Sequence, residues 1–295
     1  MSENDRIGHI QNTVDCIEAN MYQHLSMEDI SGQVYLSRYH LQRIFKSLTG
    51  RGIMEYARSR KLTESLYDLI HTDDRIVSIA EKYGFEYEQS FTRAFKGEFG
   101  LSPSEYRRSP RHVPITPKAD PSLLIELDHA LLVRPFHVFR PAFELGGLLH
   151  QVSIQGNLQE FKATSLAVEF FHGHRSRIMQ PVNPNVYYGY TFWGEERGQY
   201  TYYLSSVEIG KDSALPIDMK RLVVPACSYT VFRFIGFFPP EELTWEHLLE
   251  FWNFKDDFLT KNKPIDWENH FHFEYVDRSL CTQDYCELDY YVPVV

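Results

Sequence analysis

The sequence has no run of 18 apolar residues, so no segment is long and apolar enough for a membrane-spanning helix. Cysteine is scarce. Cys16, Cys227, Cys281 and Cys286 are the only four, and none sits in a CxxC pair or at a Cys/His ligand spacing. Such usage fits a reducing cytoplasm, and the polar, acidic opening MSENDRIGHI is unlike a signal or transit peptide. The motifs GxSxG, HExxH and the P-loop are all missing, so neither catalytic residues nor a cofactor are expected, and the chain does not look like an enzyme. Two histidine pairs, His172 with His174 and His270 with His272, invite a metal reading. No cysteine or carboxylate joins either pair at ligand spacing, and alternate residues of a strand share a face in any case. No metal site is expected.

What is present is enough for two cores. The chain has 295 residues and is 43% hydrophobic and 24% charged, about two domains of roughly 100–200 residues each, and not a disordered composition. The net charge of −10 is unevenly spread. Residues 1–112 carry 15 basic and 16 acidic side chains, whereas the remainder carries 15 and 24. Within 37–112 the balance is basic, 14 against 10. A mildly basic block followed by a strongly acidic one points to different partners for the two halves.

Four prolines, Pro110, Pro114, Pro117 and Pro121, punctuate residues 109–121 and forbid a helix there. The expected organisation is a helical domain over 1–109, an extended, semi-rigid linker over 110–121, and a second domain over 122–295.

The first domain predicts seven short helices. Ile10, Val14, Ile17 and Met21 recur at helical spacing within 7–22. Ser26 with Asp29 forms a capping-box pattern for a helix running to about residue 35, and Ser37 caps a third helix with a Leu41, Ile44, Phe45, Leu48 stripe. Further helices are expected over 53–71, 76–83, 88–99 and 104–107, the last opened by Ser102-Pro103-Ser104-Glu105. An internal repeat at an offset of 50 pairs Arg43 with Arg93, Phe45 with Phe95, Lys46 with Lys96, Gly50 with Gly100 and Tyr56 with Tyr106. Two tandem helix-turn-helix units joined by one long helix fit this pattern.

In such a unit the second helix enters the major groove and turns its early residues to base edges. The base-contacting candidates are Arg38, Tyr39, Gln42 and Arg43 in the first unit, and Gln89, Ser90, Thr92 and Arg93 in the second. Arginine pairs two-pronged with guanine, glutamine with adenine, and serine or threonine with either. Lys46, Arg58, Arg60, Lys61, Lys96 and Arg107 suit phosphates, which position without specifying.

These residues resemble a known signature. Ile79-Ala80-Glu81-Lys82-Tyr83-Gly84-Phe85, then Gln89-Ser90-Phe91-Thr92-Arg93-Ala94-Phe95-Lys96, then Phe99-Gly100-Leu101-Ser102-Pro103-Ser104-Glu105-Tyr106-Arg107 resembles the AraC/XylS signature nearly position for position. Leu36-Ser37 through Leu41-Gln42-Arg43-Ile44-Phe45-Lys46 is similar to that family's less regular first motif, with Ser31 where a small alanine is usual. The resemblance covers residues 5–108 or so. It implies a transcription regulator, an activator working with RNA polymerase, that reads two successive major grooves of double-stranded DNA. Tyr39, Gln42 and Arg43, with Gln89, Ser90 and Arg93, fall where the family contacts bases.

The second domain predicts strands over 123–127, 130–140, 186–193, 200–209, 228–235, 270–276 and 286–292, with helices over 158–171 and 240–261. Two strand–helix–strand–strand units suggest a pseudo-symmetric α+β domain with its helices on one side. Tyr187-Tyr188-Gly189, the stretch from Pro225 to Phe232 and the ending Glu287-Leu288-Asp289-Tyr290-Tyr291-Val292-Pro293-Val294 resemble the GyrI-like effector-binding domain, and the whole order resembles Rob-type regulators. That resemblance implies a flat, cationic small-molecule effector held by an acidic residue among aromatics, as in multidrug-binding relatives, with Glu274 on the matching late strand. A carboxylate in an aromatic pocket loses solvation but attracts a cation, and aromatic faces add cation–π attraction. The candidate ligand residues are Glu274, Tyr188, Tyr190, Phe192, Trp193, Phe232, Trp245, Trp252 and Tyr290, with Tyr187, Tyr202 and Phe234 as further walls. Glu208 and Glu287 are weaker candidates for the acidic role. Two other readings compete. The second domain binds a protein through a filled aromatic centre, or it has the hydrolase activity of some GyrI-like domains.

Overall fold

The computed structural model describes residues 6–31, 37–154, 162–193, 200–262 and 271–294. It separates into two compact units, Met1–Leu124 and Ile125–Val295.

In the first unit, the described residues form α1 (Arg6–Ala19), α2 (Met27–Ser31), α3 (Arg38–Thr49), α4 (Ile53–His71), α5 (Ile76–Lys82), α6 (Glu88–Phe99) and α7 (Pro103–Arg108). The stop and start signals act locally. Ser37 Oγ accepts from His40 N at the head of α3, and Ser102 with Glu105 forms a reciprocal capping box at α7. Gly50 and Gly100 end α3 and α6 in matching left-handed conformations, φ 74° and 76°, so the repeat at offset 50 is a repeat of structure. Leu62, Leu66 and Leu69 of α4 pack against Ile79, Phe91, Phe95, Phe99 and Tyr106 in one core. The expected helix end near residue 35, Leu36, and the side chain of Ser31 lie outside the described residues.

The proline-rich stretch is extended, but it does not hang between units as a free linker. Val113 joins the core of the helical unit. Thr116 N donates to Thr63 Oγ1 (3.1 Å), Thr116 O accepts from Arg60 Nη1 (3.0 Å), and Ala119 N donates to the Tyr56 hydroxyl (2.8 Å). An extended chain leaves its backbone groups unpaired, and the side chains of α4 supply partners for them.

Among the described residues, the second unit is built on one nine-stranded sheet: β1 (Leu124–Leu127), β2 (Ala130–Arg140), β3 (Phe143–Ser153), β4 (Val186–Phe192), β5 (Tyr200–Ile209), β6 (Lys220–Val224), β7 (Cys227–Gly236), β8 (Phe271–Asp277) and β9 (Cys286–Pro293), in the order β1-β2-β7-β9-β8-β4-β5-β3-β6. The helices are α8 (Lys162–Glu169), which continues into a wider turn over Phe170–His174, and α9 (Trp245–Asn262). The duplication is β3–α8–β4–β5 and β7–α9–β8–β9, so the pseudo-symmetry axis falls between β8 and β4. The first repeat therefore starts at β3, eleven residues that the sequence reading leaves unassigned, and not at 130–140. Gly146-Gly147 weakens the strand signal there, yet the fold needs it, because a Cβ on Gly147 would collide with the backbone of Ser205. The short edge strand β6 is also absent from the sequence-based reading. Residues 158–161 of the expected first helix lie outside the described residues.

Each strand sends alternate residues to opposite faces. Phe170, Leu248, Phe251 and Leu259 cover one face, against Tyr187, Phe232, Phe234, Val276 and Tyr290. Tyr188, Tyr190, Phe271, Phe273 and Tyr229 form a separate cluster on the other face.

Candidate functional site

The helical spacing of α3 and α6 divides each into an inner and an outer side. Leu41, Ile44 and Phe45, and likewise Phe91, Phe95 and Phe99, are buried. Arg38, Tyr39, Gln42 and Lys46 on α3 are exposed, with Arg43 half-buried; on α6, Gln89, Ser90, Arg93 and Lys96 are exposed and Thr92 is half-buried. The Arg43 guanidinium lies 4.7 Å over the Tyr39 ring, and Arg38 pairs with Glu28 at 3.4 Å. Each unit thus presents a polar helix face whose first turns carry groups suited to base edges.

Three residues expected at phosphates are used elsewhere. Arg60 is buried: its Nε and Nη2 grip both oxygens of Glu18 (2.8 and 2.9 Å), and Nη2 also reaches Glu64 (2.8 Å). Lys61 is buried and donates to the backbone oxygen of Gln23. Both sit on the inner side of α4, where the stems fill space and the charges bond inside the fold. Arg107 is half-buried and donates from Nε to Leu69 O (3.0 Å), closing the end of α4. Arg58, Lys46 and Lys96 remain exposed.

On the helix-covered face of the sheet, Trp193, Trp245, Trp252, Tyr290, Tyr203 and Glu274 line a cavity of about 290 Å³, together with Lys255 and His272. A smaller cavity of about 60 Å³ shares Tyr203 and Glu274 as walls and is bounded further on by Arg278 and Glu241, which form an ion pair. Glu274 is therefore common to both. Tyr203 donates to its Oε2 at 3.0 Å and in turn meets the Tyr187 hydroxyl at 2.9 Å. Burial pushes the Glu274 carboxyl up to about 7, against the opposing pull of the Tyr203 hydrogen bond. Across the sheet Glu274 faces Gly189 on β4 and Tyr290 on β9. A Cβ on Gly189 would land on the Glu274 carboxylate and the Tyr203 hydroxyl.

Comparison with known proteins follows the same division. Residues 30–109 match a helix-turn-helix domain family, and residues 135–295, more than half of the chain, match the GyrI-like small molecule binding domain. The chain belongs to the AraC-type regulators that carry a GyrI-like domain. It is 43% identical over 98 residues to the multiple antibiotic resistance protein MarA of Escherichia coli, which spans 33% of this chain and 77% of that protein. It is 41% identical over 106 residues to the right origin-binding protein of Escherichia coli, 36% of this chain and 37% of that one. An AraC-type transcriptional regulator from Chromobacterium violaceum aligns over 35% of this chain and 96% of its own, at 29% identity and a TM-score of 0.33. An integron cassette protein from Vibrio cholerae aligns over 55% and 95%, at 13% identity and 0.41.

Of the ligand residues expected in the GyrI-like domain, Glu274, Trp193, Trp245, Trp252 and Tyr290 meet at one cavity. Tyr188, Tyr190 and Phe192 do not. They are the even-numbered residues of β4 and point to the opposite face, with Phe273 and Tyr275, the aromatic neighbours of Glu274 in sequence. Phe232 lies on the correct face but is fully buried against Phe251 and Phe258 and lines neither cavity. Glu208 is also on the far face, held by Arg140 (3.0 Å) and Tyr188 (2.7 Å), which leaves it no acidic role at the cavity. Glu287 borders the smaller cavity and accepts from Tyr285 at 2.6 Å. Tyr203 and Lys255 escape the sequence-based reading. The alternation of β5 against Tyr202 points to Tyr203, whereas nothing in the sequence pattern singles out Lys255 on α9.

Proposed function

We propose that the GyrI-like domain takes a flat, cationic effector on Glu274 and that the helical unit, through α3 and α6, binds one asymmetric DNA site and activates transcription with RNA polymerase, in the cytoplasm. The observation that carries the effector reading is the Glu274 carboxylate: it is desolvated, hydrogen-bonded by Tyr203 and walled by tryptophan and tyrosine, and it gains most from a cation that brings its own apolar rings. The acidic charge balance of the domain adds a field that gathers cations. Base contacts from Arg38, Tyr39, Gln42, Arg43, Gln89, Ser90, Thr92 and Arg93, with phosphate contacts from Lys46, Arg58 and Lys96, make up the DNA reading. An open cavity beside Glu274 favours a ligand over a protein partner filling the same centre. A hydrolase reading, which uses a glutamate with a nearby aromatic, would draw on Glu274 and Tyr203, and turnover of the bound compound would support it over simple binding.

Two experiments test this. Selection of bound sequences from a random DNA pool should return one asymmetric motif with two half-sites about one helical turn (~34 Å) apart, bound by one chain. A motif that needs an inverted repeat and two chains counts against it. Titration with a flat cationic dye should be saturable, and Glu274→Gln should weaken it by roughly 2–5 kcal/mol, as for a buried charge pair that loses one partner.

A further inference from the structure

The cavity beside Glu274 is not uniformly acidic. At its other end α9 places Lys255, whose ammonium lies 4.6 Å from the Trp252 ring and 5.7 Å from the Tyr290 ring. Its side chain is only 15% exposed, and one of its N–H groups meets the exposed Asp256 at 2.8 Å. The aromatic faces that a simple cation would seek are thus already held by a cation of the protein itself. Two residues of the same lining carry further donors. Trp252 Nε1 and the Tyr290 hydroxyl are both buried and, among the described residues, have no hydrogen-bond partner. An indole N–H can only donate, so what Trp252 lacks is an acceptor. Buried polar groups without partners are uncommon, and two of them beside an ammonium in one cavity wall mark a place for an acceptor-bearing group.

Tyr290 adjoins both charged residues. Tyr290 is the cross-strand partner of Glu274, packs edge-on to Trp252 with ring centroids 4.8 Å apart, and borders Lys255. A carboxylate and an ammonium thus line one cavity with the Tyr290 ring beside both, and the two unpaired donors belong to residues of the same lining. We propose that the ligand of this cavity is amphoteric: a flat ring system whose cationic group meets Glu274 and whose carboxylate, or an equivalent anionic group, meets Lys255, Tyr290 and Trp252. This rests on the reading of Glu274 as the receiver of positive charge and adds the second charge that decides which cations are accepted. A ligand with only a positive group is repelled by Lys255 and leaves the Trp252 and Tyr290 donors unpaired, so the site discriminates against it.

The test uses the full chain and two dyes with one ring system. Rhodamine 110 has a free carboxylate and is amphoteric, and its methyl ester, rhodamine 123, is a cation only. Fluorescence anisotropy should give rhodamine 110 at least roughly tenfold tighter binding than the ester, the size of effect expected when a desolvated charge pair is gained. Lys255→Met keeps the apolar stem and removes the charge. It should weaken rhodamine 110 and leave the ester unchanged or tighter, so that the preference disappears. Tyr290→Phe should narrow the preference without abolishing binding of the ester. Glu274→Gln should weaken both dyes. If the ester binds as tightly as rhodamine 110 and Lys255→Met changes neither, the amphoteric proposal is wrong while the Glu274 reading stands. If Glu274→Gln leaves both dyes untouched but Lys255→Met removes the preference, the Glu274 reading fails and the anionic half alone survives. Saturable binding of neither dye to folded protein overturns both.

Discussion

Tyr203 reaches Glu274 across an intervening strand. Tyr203 is on β5 and Glu274 on β8, with β4 between them, and the hydroxyl nevertheless donates to Oε2 at 3.0 Å. The crossing passes over Gly189, the one residue of β4 there that presents no side chain to that face. The acidic centre of the cavity thus depends on an aromatic residue from the first repeat, a carboxylate from the second and a glycine at the seam.

Gly189→Ala should close this crossing. The added methyl has no room beside the carboxylate and the hydroxyl, which are hydrogen-bonded to each other, so overpacking should destabilise the domain by about 1–3 kcal/mol. Thermal melting should show the loss, and dye titration of the folded fraction should show weakened cation binding. A variant that melts and binds like the parent would mean that Tyr203 and Glu274 relax apart at no cost.

Effector binding should depend on pH through Glu274. The cavity also presents Tyr203, Tyr290, His272 and Lys255, with Tyr187 behind Tyr203, but the carboxyl is the group raised by burial to about 7. The raised value means that burial favours the protonated form. Its contribution to stability is complete below the ordinary carboxyl value and is lost as pH rises through about 7. A cationic dye prefers the ionised form, so its affinity should climb between pH 6 and 8 (roughly the range bracketing that value). Glu274→Gln should flatten both the stability slope and the affinity slope. Isothermal titration across that range in two buffers should also record proton release on binding.

Arg60 and Lys96 should separate cleanly. Arg60→Ala strands the half-buried Glu18 and removes a bond to Thr116, so it should cost about 3–5 kcal/mol of stability, in line with breaking a buried pair. Lys96→Ala should leave the melting temperature unchanged and reduce the salt dependence of DNA binding by about one phosphate contact. Denaturant melts together with binding measured over a salt series distinguish the two. Equal salt slopes for Lys96→Ala and the parent would remove Lys96 from the interface.

Arg93→Ala should weaken binding to the selected DNA site by about 1–3 kcal/mol and relax the preference at one base pair, because Arg93 stands exposed on α6 at the position that repeats Arg43. Binding to random DNA should barely change. An equal loss on both would assign Arg93 to a phosphate.

The sequence by itself determined the helical unit almost element by element. Caps at Ser37 and Ser102, stops at Gly50 and Gly100, and apolar residues at helical spacing are local signals, and local hydrogen bonds enforce them. It also carried the acidic residue, Glu274, and three of the tryptophans around it. Tertiary structure decided the rest, because a strand sends its neighbours in sequence to opposite sides. Phe273 and Tyr275 flank Glu274 in the chain yet face away from it, and the rings that do surround it arrive from β4, β5, β9 and α9. Arg60 and Lys61 look like phosphate ligands in sequence, but Glu18 and the chain around Gln23 and Thr116 claim them. Lys255, distant in sequence from Glu274, shares its cavity only because α9 folds over the strand that carries Tyr290. Such pairings are set by which strands become neighbours, and no local pattern of residues encodes that.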